Sequence, residues 1–216
     1  MESGQENPFK KAGVVLLVIG IIDIAVLVYC IANGISYFSS FNIFALIAGI
    51  LLLQRGVKTA RVVRWFSIFL VVAFIGGLLM SLATTPFALL VTEFKVHTLV
   101  RLGSSLLGVF VIAVLIWIYK QLSQPTALQL LAQAGFSTGS PRSAYLAGIV
   151  FTAILFVFTV LFLHGDTAKK AEALAKEQLG PDYNYHVVSY SKTGDTNQAN
   201  VTAYTATEIK TVQVQW

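Results

Sequence analysis

AYLAGIVFTAILFVFTVLFLHGDTAKKAEALAKEQLGPDYNYHVVSY, residues 144–190, changes solvent in its middle. Up to His164 the run is apolar with no charge, long enough for a helix that crosses the ~30 Å hydrocarbon core. From Gly165 onward lysine and glutamate alternate with alanine, and after Gly180-Pro181 tyrosine and valine take over. A membrane span therefore ends here and a water-exposed segment begins.

Upstream, four further stretches have the length and apolarity of spans. With the first they give five: about 12–32, 35–54, 62–83, 103–119 and 144–164. Composition agrees, since 56% of the 216 residues are hydrophobic and only 12% charged. Soluble domains carry about 25% charged residues, so a water-soluble fold is excluded. Asn33-Gly34 joins the first two spans as a turn, which predicts a tight antiparallel hairpin. The first span, preceded by Lys10 and Lys11, is too long for a cleaved signal and reads as a retained anchor. A single cysteine, Cys30, rules out a disulfide framework.

Basic residues orient the spans. Lys10 and Lys11 precede the first, Arg55, Lys58, Arg61 and Arg64 lie around the connection between the second and third, and Lys120 and Arg142 separate the fourth and fifth. The alternate connections hold only Lys95 and Arg101. The positive-inside rule puts residues 1–11 in the cytoplasm and, with an odd number of spans, residues 165–216 outside, in a plasma membrane of bacterial inner-membrane type. Trp65, Trp117, Tyr119 and Tyr145 at inner ends and Tyr29 and Tyr37 at outer ends agree. The four-basic connection is explained by topology, although anionic lipid or nucleotide would also suit it.

Two connections have helical patterns of their own. Residues 86–101 place Phe87, Leu90, Val91 and Phe94 on one side and Glu93, His97 and Arg101 at every fourth position, as in an outer interfacial helix. The Glu93–His97–Arg101 row reads as a solvated ion-pair ladder, with a metal or proton site as the functional alternative. Residues 125–134, opened by Ser123 and Pro125 and closed by Gly135, read as an inner amphipathic helix with Leu128, Leu131 and Ala132 on one face.

Asp23 is the one ionisable residue near the middle of a span. A carboxylate there costs at least ~2.5 kcal/mol on insertion scales and is by default a candidate site. Gly13, Leu16, Gly20, Asp23, Leu27, Cys30 and Gly34 share a helix face, so Asp23 faces protein. Counting rise from the hairpin turn puts Asn42 within ~3 Å of its level. Asp23, Asn42 and Thr152 are therefore expected as an intramembrane polar cluster, with Asp23 a neutral hydrogen-bonding group or, alternatively, a proton or cation site. Small residues four apart (Ala45 with Gly49, Gly77 with Ser81, Ser104 with Gly108, Ala144 with Gly148 and Thr152) predict close helix contacts, within one chain or between copies.

The tail reads as a small α+β module. Asp166 or Thr167 caps a helix with Ala168, Ala171, Leu174 and Ala175 on one face, and Gly180-Pro181 ends it. Residues 183–191, 200–206 and 209–216 then read as three strands of an antiparallel meander, with Lys192-Thr193-Gly194-Asp195 as the first turn and 196–198 extending it. In its order of elements the module resembles small extracytoplasmic modules of the PepSY type. About 50 residues without staples are marginal alone, so the module is expected to lean on the bundle, a second copy or a partner. The last strand, with Val212, Val214 and Trp216, is the expected partner-binding edge.

Catalytic patterns are sparse. Gly135-Phe136-Ser137-Thr138-Gly139 matches G-x-S-x-G by letter, but a helix is expected before the serine where the nucleophile elbow needs a strand. No cofactor, metal or nucleic-acid partner is expected. The sequence points first to a non-enzymatic integral membrane protein that anchors an extracytoplasmic protein-binding module, as an accessory or assembly component of an envelope complex. A small transporter or channel subunit using Asp23 and the glycine-bearing faces is the second reading, and a membrane-embedded enzyme the third.

Overall fold

The computed structural model describes residues 7–34, 42–163, 165–194 and 196–216. Among these the chain forms eight helices and three strands: α1 (Lys10–Ala32), α2 (Asn42–Leu53), α3 (Val57–Thr84), α4 (Phe87–Val96), α5 (Thr98–Leu122), α6 (Pro125–Gln133), α7 (Arg142–Leu163), α8 (Asp166–Leu179), β1 (Asn184–Thr193), β2 (Thr196–Tyr204) and β3 (Ile209–Gln215). Four of them, α1, α3, α5 and α7, are long and apolar enough to cross a membrane, which fits a membrane-embedded protein. At most 11% of the apolar window of any of the four is buried within the chain. Side chains such as Ile22, Leu79, Leu106 and Leu161 are left bare, a surface suited to lipid and not to water.

The expected span 35–54 is represented by α2, whose 12 residues rise about 18 Å, short of the hydrocarbon thickness. Residues 35–41 lie outside the described residues. The chain divides into two compact units, Met1–Val71 with Ala113–Leu146, and Val72–Ile112 with Ala147–Trp216.

In the first unit α1 and α2 form the expected antiparallel hairpin, and glycine sets its closeness. A Cβ on Gly49 would lie 2.7 Å from the Leu17 nitrogen and 2.9 Å from the Gly13 carbonyl oxygen. Such an approach of backbone to backbone is open only to glycine. Asn7 ties the other end. Its side-chain oxygen accepts the Phe9 N–H at 3.0 Å, and its amide donates to the Leu52 and Leu53 carbonyls at 3.0 Å each. Those carbonyls end α2 and have no partner within the helix. Arg55, at φ 60°, then turns the chain, with Gly56 N–H donating to Leu51. Around this junction Phe9, Ala12, Leu52, Ala60, Ile118, Leu122 and Ala127 form one buried cluster.

α6 begins with Pro125 in its first turn as expected, but Gln124 precedes it and Ser123 does not cap it. Ser123 is used elsewhere, as an acceptor for Arg64. The buried face of α6 carries Ala127 and Leu131, whereas Ala132 is exposed. Gly135, at φ 77°, closes the helix with paired bonds from Gly135 to Ala132 and Phe136 to Leu131, a Schellman ending.

The second unit corrects two boundaries and one contact. The interfacial helix expected over 86–101 stops at Val96, and His97 (φ −120°, ψ 40°) breaks it from α5. Arg101 therefore belongs to the spanning helix. The close contact on α3 is made by Gly76 and not Gly77. A Cβ on Gly76 would meet the Thr152 side chain at 2.4 Å, while Gly77, Gly103 and Gly108 face open space.

The C-terminal module is one helix on a three-stranded antiparallel sheet of order β1-β2-β3. Gly165 precedes α8 and Asp166 lies in its first turn, where a carboxylate favours the helix dipole without capping it. Ala168, Ala171 and Ala175 are small enough to bring α8 down onto Val187, Ala199, Val201 and Val214. Tyr185 and Val187 face inward, the register slips between Val187 and Ser189, and Tyr190 faces inward again. The bulge leaves Val188 exposed and keeps the apolar face continuous across it.

Gly49→Ala should loosen the hairpin by about 1–3 kcal/mol, because backbone atoms cannot move aside as a side chain can. Gly77→Ala should change stability by less than about 0.5 kcal/mol. Unfolding in mixed micelles, followed by circular dichroism, measures both.

Candidate functional site

Asp23 lies on the inward face of α1, half-buried between buried Gly20 and Cys30. Equal steps from the Gly49 contact with Gly13 and Leu17 bring it to within a turn of the Asn42 end of α2. The Asn42 side chain lies outside the described residues. Thr152 donates to the Gly148 carbonyl of its own helix at 2.9 Å and fills the notch over Gly76. Its polar group is thus satisfied locally. In the charge row, Glu93 and Arg101 form an ion pair across the break at His97. His97 contributes its backbone there, donating to the Glu93 carbonyl and accepting from Arg101 N–H, each at 2.9 Å.

The three residues expected at the module's edge have two roles. Val214 is fully buried against α8, with Val212 and Trp216 packed around it. Trp216 also meets the Tyr190 ring at 6.2 Å between centroids, and Lys170 lies over its indole. Their side chains build the core, so what β3 offers outward is backbone. Asn197 and Trp216 exchange both backbone bonds, at 2.8 and 2.9 Å, and Thr205 N–H donates to Glu208. In an antiparallel ladder such pairs recur every second residue. Residues 210, 212 and 214 therefore bond to β2, while Thr211, Gln213 and Gln215 direct N–H and C=O away from it. Among the described residues no strand pairs with that side of β3.

The opposite end of the sheet is tied to α4. Leu89 and Thr92 are the buried residues of that helix, and the Thr92 hydroxyl donates to the Thr205 carbonyl at 2.8 Å. Next to this contact Tyr183 donates to Glu208 at 2.8 Å and accepts from Lys210 at 2.7 Å, with Lys210 and Glu208 paired at 2.9 Å. The bond from Lys210, then that from Tyr183, holds Glu208 below its ordinary 4.5. Bonds to Tyr183 and then Glu208 hold Lys210 above its ordinary 10.5.

A cleft of about 550 Å³ lies in the first unit between the start of α3 and the loop from α6 to α7. Arg61, Arg64, Trp65, Ser137, Ser140, Arg142 and Ser143 line it. Arg64 is 6% exposed. It donates to Ser123 Oγ at 2.9 Å and to the Thr138 carbonyl at 3.0 Å, and its guanidinium lies over the Tyr119 ring. The indole N–H of Trp65 donates to Ser143 Oγ at 2.9 Å. The sequence signalled the basic residues as a topology marker, and only the fold brings Arg61 and Arg64 to Ser137, Ser140 and Ser143, 73 to 82 residues later in the chain.

No family model, curated protein or solved structure matches this chain. Chemistry has to be read from the residues alone. Ser137 sits in a loop that follows a helix, so the strand–serine–helix strain of a nucleophile elbow is missing at this site. Among the described residues no three of histidine, cysteine, aspartate and glutamate gather as a metal set.

The pH dependence of the module follows from the Tyr183–Glu208–Lys210 cluster. Glu208, with a lowered value, contributes stability that is present above 4.5 and lost as pH falls through its folded value. Lys210, with a raised value, contributes stability that is present below 10.5 and lost only as pH rises beyond it. Glu208→Gln should therefore flatten the acid limb of the module's unfolding profile and leave the neutral region flat. Thermal melts from acid to neutral pH check this.

Proposed function

We propose that this chain is a five-span protein of a bacterial inner membrane, with its amino terminus in the cytoplasm and its α+β module outside, and that the module holds a protein partner. The observation that carries the reading is the edge of β3. Three consecutive outward positions, Thr211, Gln213 and Gln215, present backbone donors and acceptors on a strand that α8 supports from one face. An extended segment of another protein adds to such an edge through main-chain bonds. The tie from Thr92 to Thr205 supports a module held in place and not free on a tether. The hairpin supports the topology, since Asn7 joins the start of α1 to the end of α2 and returns the chain to its starting side. The parity of the later helices is then the same whether or not α2 crosses completely. Gly77, Gly103 and Gly108, which face open space, would suit contact with further copies.

A second reading, a transporter or channel subunit, is favoured by the half-buried Asp23 on the hairpin's inward face, where Asn42 would complete a polar cluster. Asp23→Asn in proteoliposomes separates the two, because loss of proton or cation flux would support transport and displace the anchoring reading.

Gln213→Pro removes an outward N–H and no bond to β2, so the module should stay folded. It should release a partner co-purified from native membranes, as should deletion of residues 166–216. Val212→Pro removes a bond to β2 and should unfold the sheet. Partner retention by Gln213→Pro would overturn strand addition. A cysteine at exposed Thr207 should react with an impermeant maleimide in intact cells, and labelling only after lysis would reverse the topology.

A further inference from the structure

We propose that the cleft between α3 and the α6–α7 loop binds a phosphate-bearing anion, the source being the headgroup of an anionic phospholipid. Arg64 is the central observation. Its charge is buried, and the groups that meet it, Ser123 Oγ, the Thr138 carbonyl and the Tyr119 ring, are neutral. A buried cation is costly without a counter-charge. Among the described residues no carboxylate pairs with Arg61, Arg64 or Arg142. The first unit, residues 1–71 and 113–146, holds eight lysines and arginines against three acidic residues, Glu2, Glu6 and Asp23. It keeps an excess of positive charge that an anion from outside the unit would offset.

The cleft is built to receive it. Arg61 and Arg142 are exposed on its rim, and guanidinium forks match phosphate oxygens with paired hydrogen bonds. The first turn of α7 begins at Arg142, so the positive end of that helix adds to the field. Arg64 also holds the loop through Thr138, which fixes the rim. A volume of about 550 Å³ accepts a headgroup phosphate. Trp65 points to lipid as the source. It hydrogen-bonds to Ser143 on its polar side and stacks on Phe69 on the other, with ring centroids 5.6 Å apart. An indole divided in this way marks the level of a bilayer interface, where lipid phosphates lie. The proposal does not depend on what the C-terminal module holds.

The test uses the full chain in a neutral detergent, with thermal stability and native mass spectrometry as readouts. The probes are phosphatidylglycerol, zwitterionic phosphatidylcholine and inorganic phosphate. Phosphatidylglycerol should bind and stabilise, and the double substitution Arg61→Gln, Arg142→Gln should weaken it about tenfold. Lys58→Gln with Lys120→Gln removes the same charge outside the cleft and should change affinity by less than about twofold. Should the first double variant fail to fold, Arg142→Gln alone should still show part of the loss, since its side chain is exposed. Stabilisation by inorganic phosphate in competition with lipid would support the anion site and move its source to a phosphorylated solute. Equal losses in the two double variants, or equal binding of both lipids with no effect of phosphate, would overturn the site.

Discussion

Helices in lipid gain nothing from hiding apolar surface from water, so their association depends on how closely their backbones approach. The contact of Gly49 with Gly13 and Leu17 is where this constraint acts most directly. It sets the spacing of α1 and α2, and with it the place of Asp23 on the inward face. It also brings the start of α1 to the end of α2, where Asn7 serves both. The cluster around Phe9 and Leu52 then has a floor to pack on, including Ala127 from the short helix α6. Gly76 and Thr152 repeat the device between α3 and α7. The C-terminal module uses the opposite physics. Its alanines, valines and aromatics are buried from water, and its small helix face serves to bring sheet and helix together.

Charge follows the same division. Outside the helices' apolar windows, charges pair with one another, as in Glu208 with Lys210 and Glu93 with Arg101. Within the first unit the balance is one-sided, and Arg64 is covered by neutral acceptors only. A basic excess is expected of segments that stay in the cytoplasm, because translocating lysine and arginine is unfavourable. On the proposed topology, that selection would account for the residues being there. It does not explain why one of them is buried under a loop rich in serine, where an exposed lysine would serve the positive-inside rule equally well.

The amino-acid pattern made the helices, the change of solvent at Gly165 and the three-stranded meander legible, because length, apolarity and alternation are local properties. It made the hairpin legible because only a short segment separates two apolar runs, each with glycine for close approach. Rotation of one helix against another is not local, so the same stripe of small residues pointed to Gly77 where Gly76 makes the contact. The break at His97 carries no proline or glycine, and the apolar pattern runs through it. The sequence assigns Thr92 no role, and its burial is accounted for by its acceptor, 113 residues away. The serines around Arg64 were invisible as a site for the same reason, since neither strand order nor spacing joins α3 to the loop after α6.

The edge of β3 shows how such non-local facts bear on function. Proteins commonly protect an open edge with charge, proline or a bulge. The bulge in this sheet is in β1, on the far side, and β3 holds no proline. Its one charge, Lys210, is engaged by Tyr183 and Glu208 and belongs to a position that bonds inward to β2. The outward positions are threonine and two glutamines, which neither repel an incoming strand nor supply apolar adhesion. Affinity at such an edge would come from the main chain, and selectivity from whatever lies alongside it. The α4 helix, tied to Thr205 and carrying exposed Phe87 and Phe94, is the nearest surface in the same unit to supply that selectivity.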